Sequence, residues 1–165
     1  MKNYAIVSLA VLLPFLLVWV ITLFLSFNKY SHISKQLLKE DCILKKAIGR
    51  SGTWFIATTF WMLVEYIFVI VPFVANAIVI YLSLNLNDNE ESILVYSIVS
   101  LAFIVFGYAI NPQRHKKCYR KAYVNLDDEI SRYLSTIDSS TAQKEHLIKA
   151  MRDGENFIDD SYDVE

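Results

Sequence analysis

Three apolar runs, residues 4–27, 54–84 and 93–110, constrain this chain more than any other feature. As helices they match or exceed the roughly 30 Å of hydrocarbon that a membrane span must cross. The remaining sequence is too short for a second large soluble domain. The chain has 165 residues, is 55% hydrophobic and has a positive mean hydropathy, which lies above ordinary soluble domains. The first run differs from a cleavable signal, whose apolar core is shorter and ends in a small-residue site. Here the run ends in Ser26-Phe27-Asn28-Lys29, with no Ala-x-Ala pattern, and we expect a retained anchor.

The second run would measure roughly 45 Å as one helix, too long for the hydrocarbon alone. The spacing places its span at 62–83 and leaves 54–61 as an interfacial turn or helix, because Trp54 and Trp61 are the residue type that settles at headgroup depth. Thr58 and Thr59 fall within that aromatic segment, and Gly49 and Gly52 just before it suggest a bend. The third run follows the short loop Asn85-Leu86-Asn87-Asp88-Asn89-Glu90-Glu91-Ser92, so the second and third spans form an antiparallel hairpin.

That loop holds no Lys or Arg, whereas Lys29, Lys35, Lys39, Lys45, Lys46 and Arg50 precede the hairpin. Arg114, Lys116, Lys117, Arg120 and Lys121 follow it. The positive-inside rule puts both flanks in the cytosol and the acidic loop outside. Parity then sends the N-terminus outward, opposed only by Lys2. The two cysteines, Cys42 and Cys118, fall on the reducing side, where a structural disulfide is not expected.

Between the first two spans, Tyr30, Ile33, Leu37, Leu44 and Ile48 recur at helical spacing among charged residues, which describes an amphipathic cytosolic helix or hairpin. Beyond the third span, Asn111-Pro112 marks either a helix start, with Asn as cap and Pro in the first turn, or a kink in one continuous helix. Tyr119, Ala122, Tyr123, Leu126, Ile130, Tyr133, Leu134 and Ile137 then keep to one face. Such a stripe needs a partner, either the earlier cytosolic helix of the same chain or the same helix of another copy. Asp138-Ser139-Ser140-Thr141 reads as a break and cap, 142–152 as a short helix, and Gly154 as its stop. The acidic residues of 153–165 alternate with Phe157, Ile158, Tyr162 and Val164, which suits a disordered tail or a segment that docks on a basic surface.

No Walker loop, dinucleotide fingerprint, HExxH or nucleophile elbow is present, so no catalytic residue is assigned. His115 and Cys118, with Cys42 or His32, have a spacing that can share a metal. A closed zinc site needs more than that pattern supplies, and neither metal nor cofactor is expected. Glu65 is the one charge inside the second run. It either snorkels to cytosolic Lys or Arg or faces a bundle interior, where copies around an oligomer would form a cation-selective acidic ring. Pro72 removes a backbone hydrogen bond one turn before Asn76, whose amide offers interhelical pairing or pore-lining polarity; Ala75 and Ala77 allow close approach. Lys45, Lys46, Arg50, Arg114, Lys116 and Lys117 are candidates for contact with anionic headgroups. Basic residues this close to apolar spans are explained by topology first, and direct nucleic-acid binding is not expected.

The stretch from about Lys45 to Leu134 resembles the SLATT group of small bacterial membrane proteins. The likeness rests on a basic segment, a two-span hairpin and a helix opening with Tyr119-Arg120-Lys121-Ala122-Tyr123, then Leu126. The N-terminal run lies outside it. The resemblance implies an inner-membrane effector of bacterial conflict and antiphage systems that forms pores when triggered by a cytosolic partner. The combined expectation is an all-α integral membrane protein with three transmembrane helices and a cytosolic helical tail, acting as a homo-oligomer. Its parts are a first span (1–28), an amphipathic cytosolic helix or linker (29–53), a transmembrane hairpin with an interfacial start (54–111), cytosolic helices (112–152) and an acidic tail (153–165).

Overall fold

The computed structural model describes residues 17, 18, 20–22, 24, 41–84, 90–135 and 141–162. Most of the expected first span, the residues 29–40 of the expected cytosolic helix, the loop 85–89 and Ile137 lie outside these. Everything regular among the described residues is helical. Among the described residues the complete helices are α1 (Cys42–Leu84), α2 (Glu90–Ile110), α3 (Pro112–Ser135) and α4 (Thr141–Asp159).

α1 starts where a side chain supplies its first acceptors. Asp41 Oδ1 accepts the N–H groups of Ile43 and Leu44, both at 3.0 Å, and the Asp41 carbonyl accepts the Lys45 N–H at 3.1 Å. An N-cap of this kind satisfies donors that have no partner within the helix. From there α1 runs unbroken for 43 residues. No break interrupts it at Gly49 and Gly52, where a bend was expected, and no described glycine has a positive φ. Leu44 and Ile48 therefore do not belong to a separate cytosolic helix. A mid-helix glycine costs about 1 kcal/mol relative to alanine, and here the neighbouring core contacts of Ala47, Ser51 and Trp54 offset it.

The chain divides into two compact units, one formed by Met1–Phe60 with Arg114–Glu165 and one by Trp61–Gln113. The first is a helical bundle. Leu44, Ala47 and Trp54 of α1, Ala122, Leu126, Ile130 and Tyr133 of α3, and Leu147, Ala150 and Met151 of α4 form one buried cluster. Full burial of a Leu or Ile side chain is worth about 1.5–3 kcal/mol, so Leu44, Leu126, Ile130 and Leu147 dominate it. The Phe55 and Tyr123 rings extend the contact at 5.1 Å.

Two expectations are corrected in this bundle. Trp54 is only 6% exposed and is a core residue rather than an interfacial anchor. Gly154 is not a stop: α4 continues through it to Asp159. The two findings share a cause, because the Trp54 ring lies against the α-carbon of Gly154. A Cβ added there would overlap the indole, with Ala122 Cβ at 3.3 Å on the other side. The glycine serves packing rather than termination.

The second unit holds the rest of α1 and α2. Phe68 and Phe103 meet at 5.8 Å between centroids, Gly107 brings the α2 backbone against Phe68, and Pro72, Ala75 and Ser100 are buried. Small residues at a contact let helices approach closely. The outward faces are apolar: Phe73 is 74% exposed and Tyr108 89%. α1, and the stretch Glu90–Ser135 that contains α2, are each long and apolar enough to cross a membrane. Only 11% and 6% of their most apolar windows are buried.

Asn111 separates α2 from α3 at φ 47°, and its N–H reaches the Gly107 carbonyl at 3.1 Å. An N-cap holds an extended backbone, whereas a left-handed Asn is a helix C-terminal device. Asn111 thus closes α2, and the buried Pro112 opens α3. The continuous-helix alternative is excluded.

Candidate functional site

α4 and the turn that follows it are tied to α3 at one end by a dense set of polar contacts. Arg114 Nη2 donates to the Asp160 carbonyl at 2.6 Å. The Ser161 hydroxyl donates to the Ile158 carbonyl at 2.6 Å, so its oxygen is left to accept from Nδ1–H of the buried His115, at 3.0 Å. This sets the imidazole tautomer. The His115 and Tyr162 rings lie 4.7 Å apart, and the Tyr162 and Tyr119 hydroxyls are 3.1 Å apart. Burial, then the hydrogen bond to Tyr162, then the charges of Tyr162 and Asp159, push the Tyr119 phenol well above its ordinary range, which keeps it neutral. Lys121 Nζ sits 3.8 Å over the Phe157 ring. The Arg50 to Glu155 ion pair, at 2.7 Å, joins α1 to α4.

The acidic segment is therefore neither an extended tail nor, through residue 162, free of structure. It is helix to Asp159 and then a turn. Its docking surface is the basic, aromatic start of α3 in its own chain.

A second tie lies at Asp41. Besides capping α1, its Oδ2 accepts a hydrogen bond from the Tyr133 hydroxyl of α3 and lies 3.9 Å from Lys144 Nζ of α4. One carboxylate thus joins three helices. Burial raises its pKa, but the bonds from Tyr133, Leu44 and Ile43 and the Lys144 charge outweigh that and leave it below its ordinary value. Tyr133, through burial and then its bond to the carboxylate, is pushed up to about 12.

In the second unit Glu65 is half-buried and accepts a hydrogen bond from Gln113 Nε2 at 2.9 Å. This partner was not foreseen from the sequence, where Lys and Arg were the candidates. Pro72 is buried within α1, and Asn76 is exposed. The apolar stripe of α3 is covered inside the chain: Leu126 and Ile130 are fully buried, Tyr133 nearly so, and Tyr119, Tyr123 and Leu134 pack around them. Its partners are α4 and the first part of α1, which matches the intrachain alternative in kind but with α4 as a major contributor.

Of the six headgroup candidates, Arg50 and Arg114 are engaged with Glu155 and Asp160. Lys45, Lys46 and Lys117 are exposed and Lys116 is half-buried. Among the described residues no group of three or more His, Cys, Asp or Glu could hold a metal ion. An open polar groove of about 300 Å³ lies between α3 and α4, lined by Asp128, Glu129, Arg132, His146, Lys149 and Asp153. No family model, characterised protein or solved structure matches this chain.

The sequence reading missed Asp41, Ser161 and the Gly154 to Trp54 contact. An Asp immediately before a periodic apolar run is a helix-start signal, so Asp41 was within reach. Nothing local marked the other two.

Proposed function

We propose that the chain is a bacterial inner-membrane effector of a defence system. The α1–α2 hairpin crosses the bilayer, the α1–α3–α4 bundle lies in the cytosol, and the N-terminus faces outward. At rest the C-terminal turn clamps the bundle. A cytosolic partner of the same system releases the clamp, and copies then associate and permeabilise the membrane. The observation that carries this reading is α1, a single helix whose first part packs in a conventional core while its later part is predominantly apolar and exposes large side chains such as Val69, Phe73 and Ile80. One element then connects a sensing bundle with a membrane hairpin. Glu65, at the base of the hairpin, supplies a carboxylate that favours cations once copies assemble. The resemblance to SLATT proteins supports the effector role.

α1 also sorts the basic residues. Lys45 and Lys46 precede Met62 by about 25 Å of helix, beyond the roughly 8 Å screening length at physiological salt. Lys116 and Lys117 follow Ile110 within two turns and are the headgroup contacts.

The test is induced expression in a bacterium with a potential-sensitive dye. Substituting His115 and Tyr119 with Ala removes the clamp and should produce depolarisation at an expression level where the unaltered chain causes little. Absence of depolarisation from both proteins, with both present in the membrane fraction, overturns the reading.

A second reading, a non-toxic adaptor that docks a cytosolic partner, is favoured by the polar groove between α3 and α4. It calls for stoichiometric co-purification that Arg132→Glu abolishes, without any change in potential.

A further inference from the structure

The apolar half of α1 is not uniform around its circumference. Glu65, Pro72, Asn76 and Ser83 follow one another at intervals of seven, four and seven residues, which at 3.6 residues per turn keeps them within roughly 40° of each other. Phe68 and Ala75, which turn toward α2 or are buried, lie beside this stripe rather than on it. Three of the four stripe residues are accounted for within the unit. Glu65 holds Gln113, Pro72 is buried, and the Ser83 hydroxyl donates to the Val79 carbonyl at 2.8 Å. Asn76 differs, because it is exposed amid Val69, Phe73 and Ile80, themselves exposed on the same face. In the span 62–83 it sits about one turn from the middle, where an amide without partners is strongly disfavoured.

We infer that this face of α1 is the contact between two copies of the chain, with the Asn76 amides paired across a two-fold axis at its centre. The inference rests on the membrane placement proposed above. A carboxamide carries both donors and an acceptor, so the same residue at the same depth on a symmetry mate satisfies it, as an isologous interface requires. Val69, Phe73 and Ile80 supply the apolar surround. The N-terminal run is a poorer occupant: its hydrogen-bonding side chains are Tyr4, Ser8, Trp19, Thr22 and Ser26, the Thr22 hydroxyl already donates to the Val18 carbonyl at 2.8 Å, and the Trp19 indole N–H only donates, so it cannot accept from the amide. Hydroxyls near the two ends of that run do not match an amide near mid-span.

Disulfide trapping in native membranes, in the chain whose clamp is removed by His115→Ala and Tyr119→Ala, tests this. Both native cysteines, which are free, are first replaced by Ser. Val69→Cys and Ser83→Cys, on the face, should give covalent dimers under mild oxidation, and Val74→Cys, on the opposite side of α1, should not. Adding Asn76→Leu should weaken association by about threefold to thirtyfold, the range of interhelical hydrogen bonds in membranes. Asn76→Gln should retain it. Equal trapping at all three positions, or trapping indifferent to Asn76→Leu, overturns the proposal. So does a monomer, whether the thiols at 69 and 83 are shielded from a lipid-soluble maleimide, which assigns the face to another helix, or react freely with it, which assigns it to lipid. Potential measured in the same cells separates the two claims. Depolarisation without specific trapping leaves the effector reading standing and removes the interface, and trapping without depolarisation does the reverse.

Discussion

The two units of this chain are packed in opposite ways. In the bundle, large side chains such as Leu126 and Ile130 point inward and are fully buried, and pairs such as Arg50 with Glu155 and Asp41 with Lys144 join the helices around them. In the hairpin the buried positions belong to small residues, Ala75 and Ser100 among them, while Phe73, Leu84, Phe106 and Tyr108 point outward. Water drives the first arrangement, since removing apolar surface from it is favourable. The second leaves its large apolar side chains outside and packs through small residues, the pattern by which helices associate in lipid. A substitution should therefore have opposite consequences in the two units.

The largest contrast is expected from a buried charge. Leu126→Asp places an unpaired carboxylate in the bundle core and should destabilise it by about 3–5 kcal/mol, seen as rapid proteolysis of 112–162 in detergent-solubilised protein. Phe73→Leu, which changes a larger side chain on the hairpin exterior, should leave that digestion pattern unchanged. If the two variants behave alike, the division into differently solvated units is wrong.

Next in size is the contact between Gly154 and Trp54. Gly154→Leu cannot be accommodated without moving the indole or α4, and a loss of about 2–3 kcal/mol is expected, as for other overpacked cores. Trp54→Leu in the same molecule should recover part of it, because the clash has one named partner. Thermal unfolding followed by near-ultraviolet circular dichroism reads both. In the hairpin, Gly107→Ala brings its new carbon to 3.1 Å from Phe68 Cβ and Cγ, a milder conflict that a shift of a few tenths of an ångström relieves.

These contacts show what could and could not be read from residue order. Run length and hydropathy announced the two apolar helices, because both are properties of the residues taken one by one. The α3 stripe was equally plain, because 3.6-residue periodicity is a local signal. Its partner was not, since α4 is short and mostly polar and its apolar face, Leu147, Ala150 and Met151, looks modest until α1 and α3 surround it. Trp54 was misplaced for a related reason. Tryptophan suits headgroup depth and a bundle core equally well, and the glycine that decides between them lies a hundred residues further on. Glu65 was recognised as needing a partner, but Gln113 is neutral and a charge-based search passes over it.

A smaller effect is expected at the Asp41 junction, where its sign with pH is fixed. The folded carboxyl titrates below its ordinary value of 3.8, so its contribution is complete above that value and is lost as pH falls through the folded pKa. Tyr133 shifts the other way. Its contribution is present below its ordinary value of 10.0 and is lost as pH rises toward about 12. Tyr133→Phe removes one bond and should lower stability by about 1–2 kcal/mol at neutral pH, and flatten both limbs of the pH profile. Asp41, Tyr133 and Lys144 all belong to the bundle, so the profile reports on that unit.

The smallest effect should come from the pair Arg50 and Glu155. Its side chains are 29% and 48% exposed, and exposed ion pairs contribute about 0–1 kcal/mol, less in salt. Glu155→Gln alone should therefore shift the bundle's unfolding temperature by no more than a degree or two, and raising the salt concentration should shrink even that. A larger, salt-independent loss would mean that Glu155 is held in a drier setting than its exposure shows, with α4 anchored by charge rather than by the Trp54 contact. The double variant Arg50→Gln, Glu155→Gln separates these cases. If packing against Trp54 holds α4, the double variant matches the weaker of the two single ones, and if charge holds it, the stability of the bundle falls with the pair.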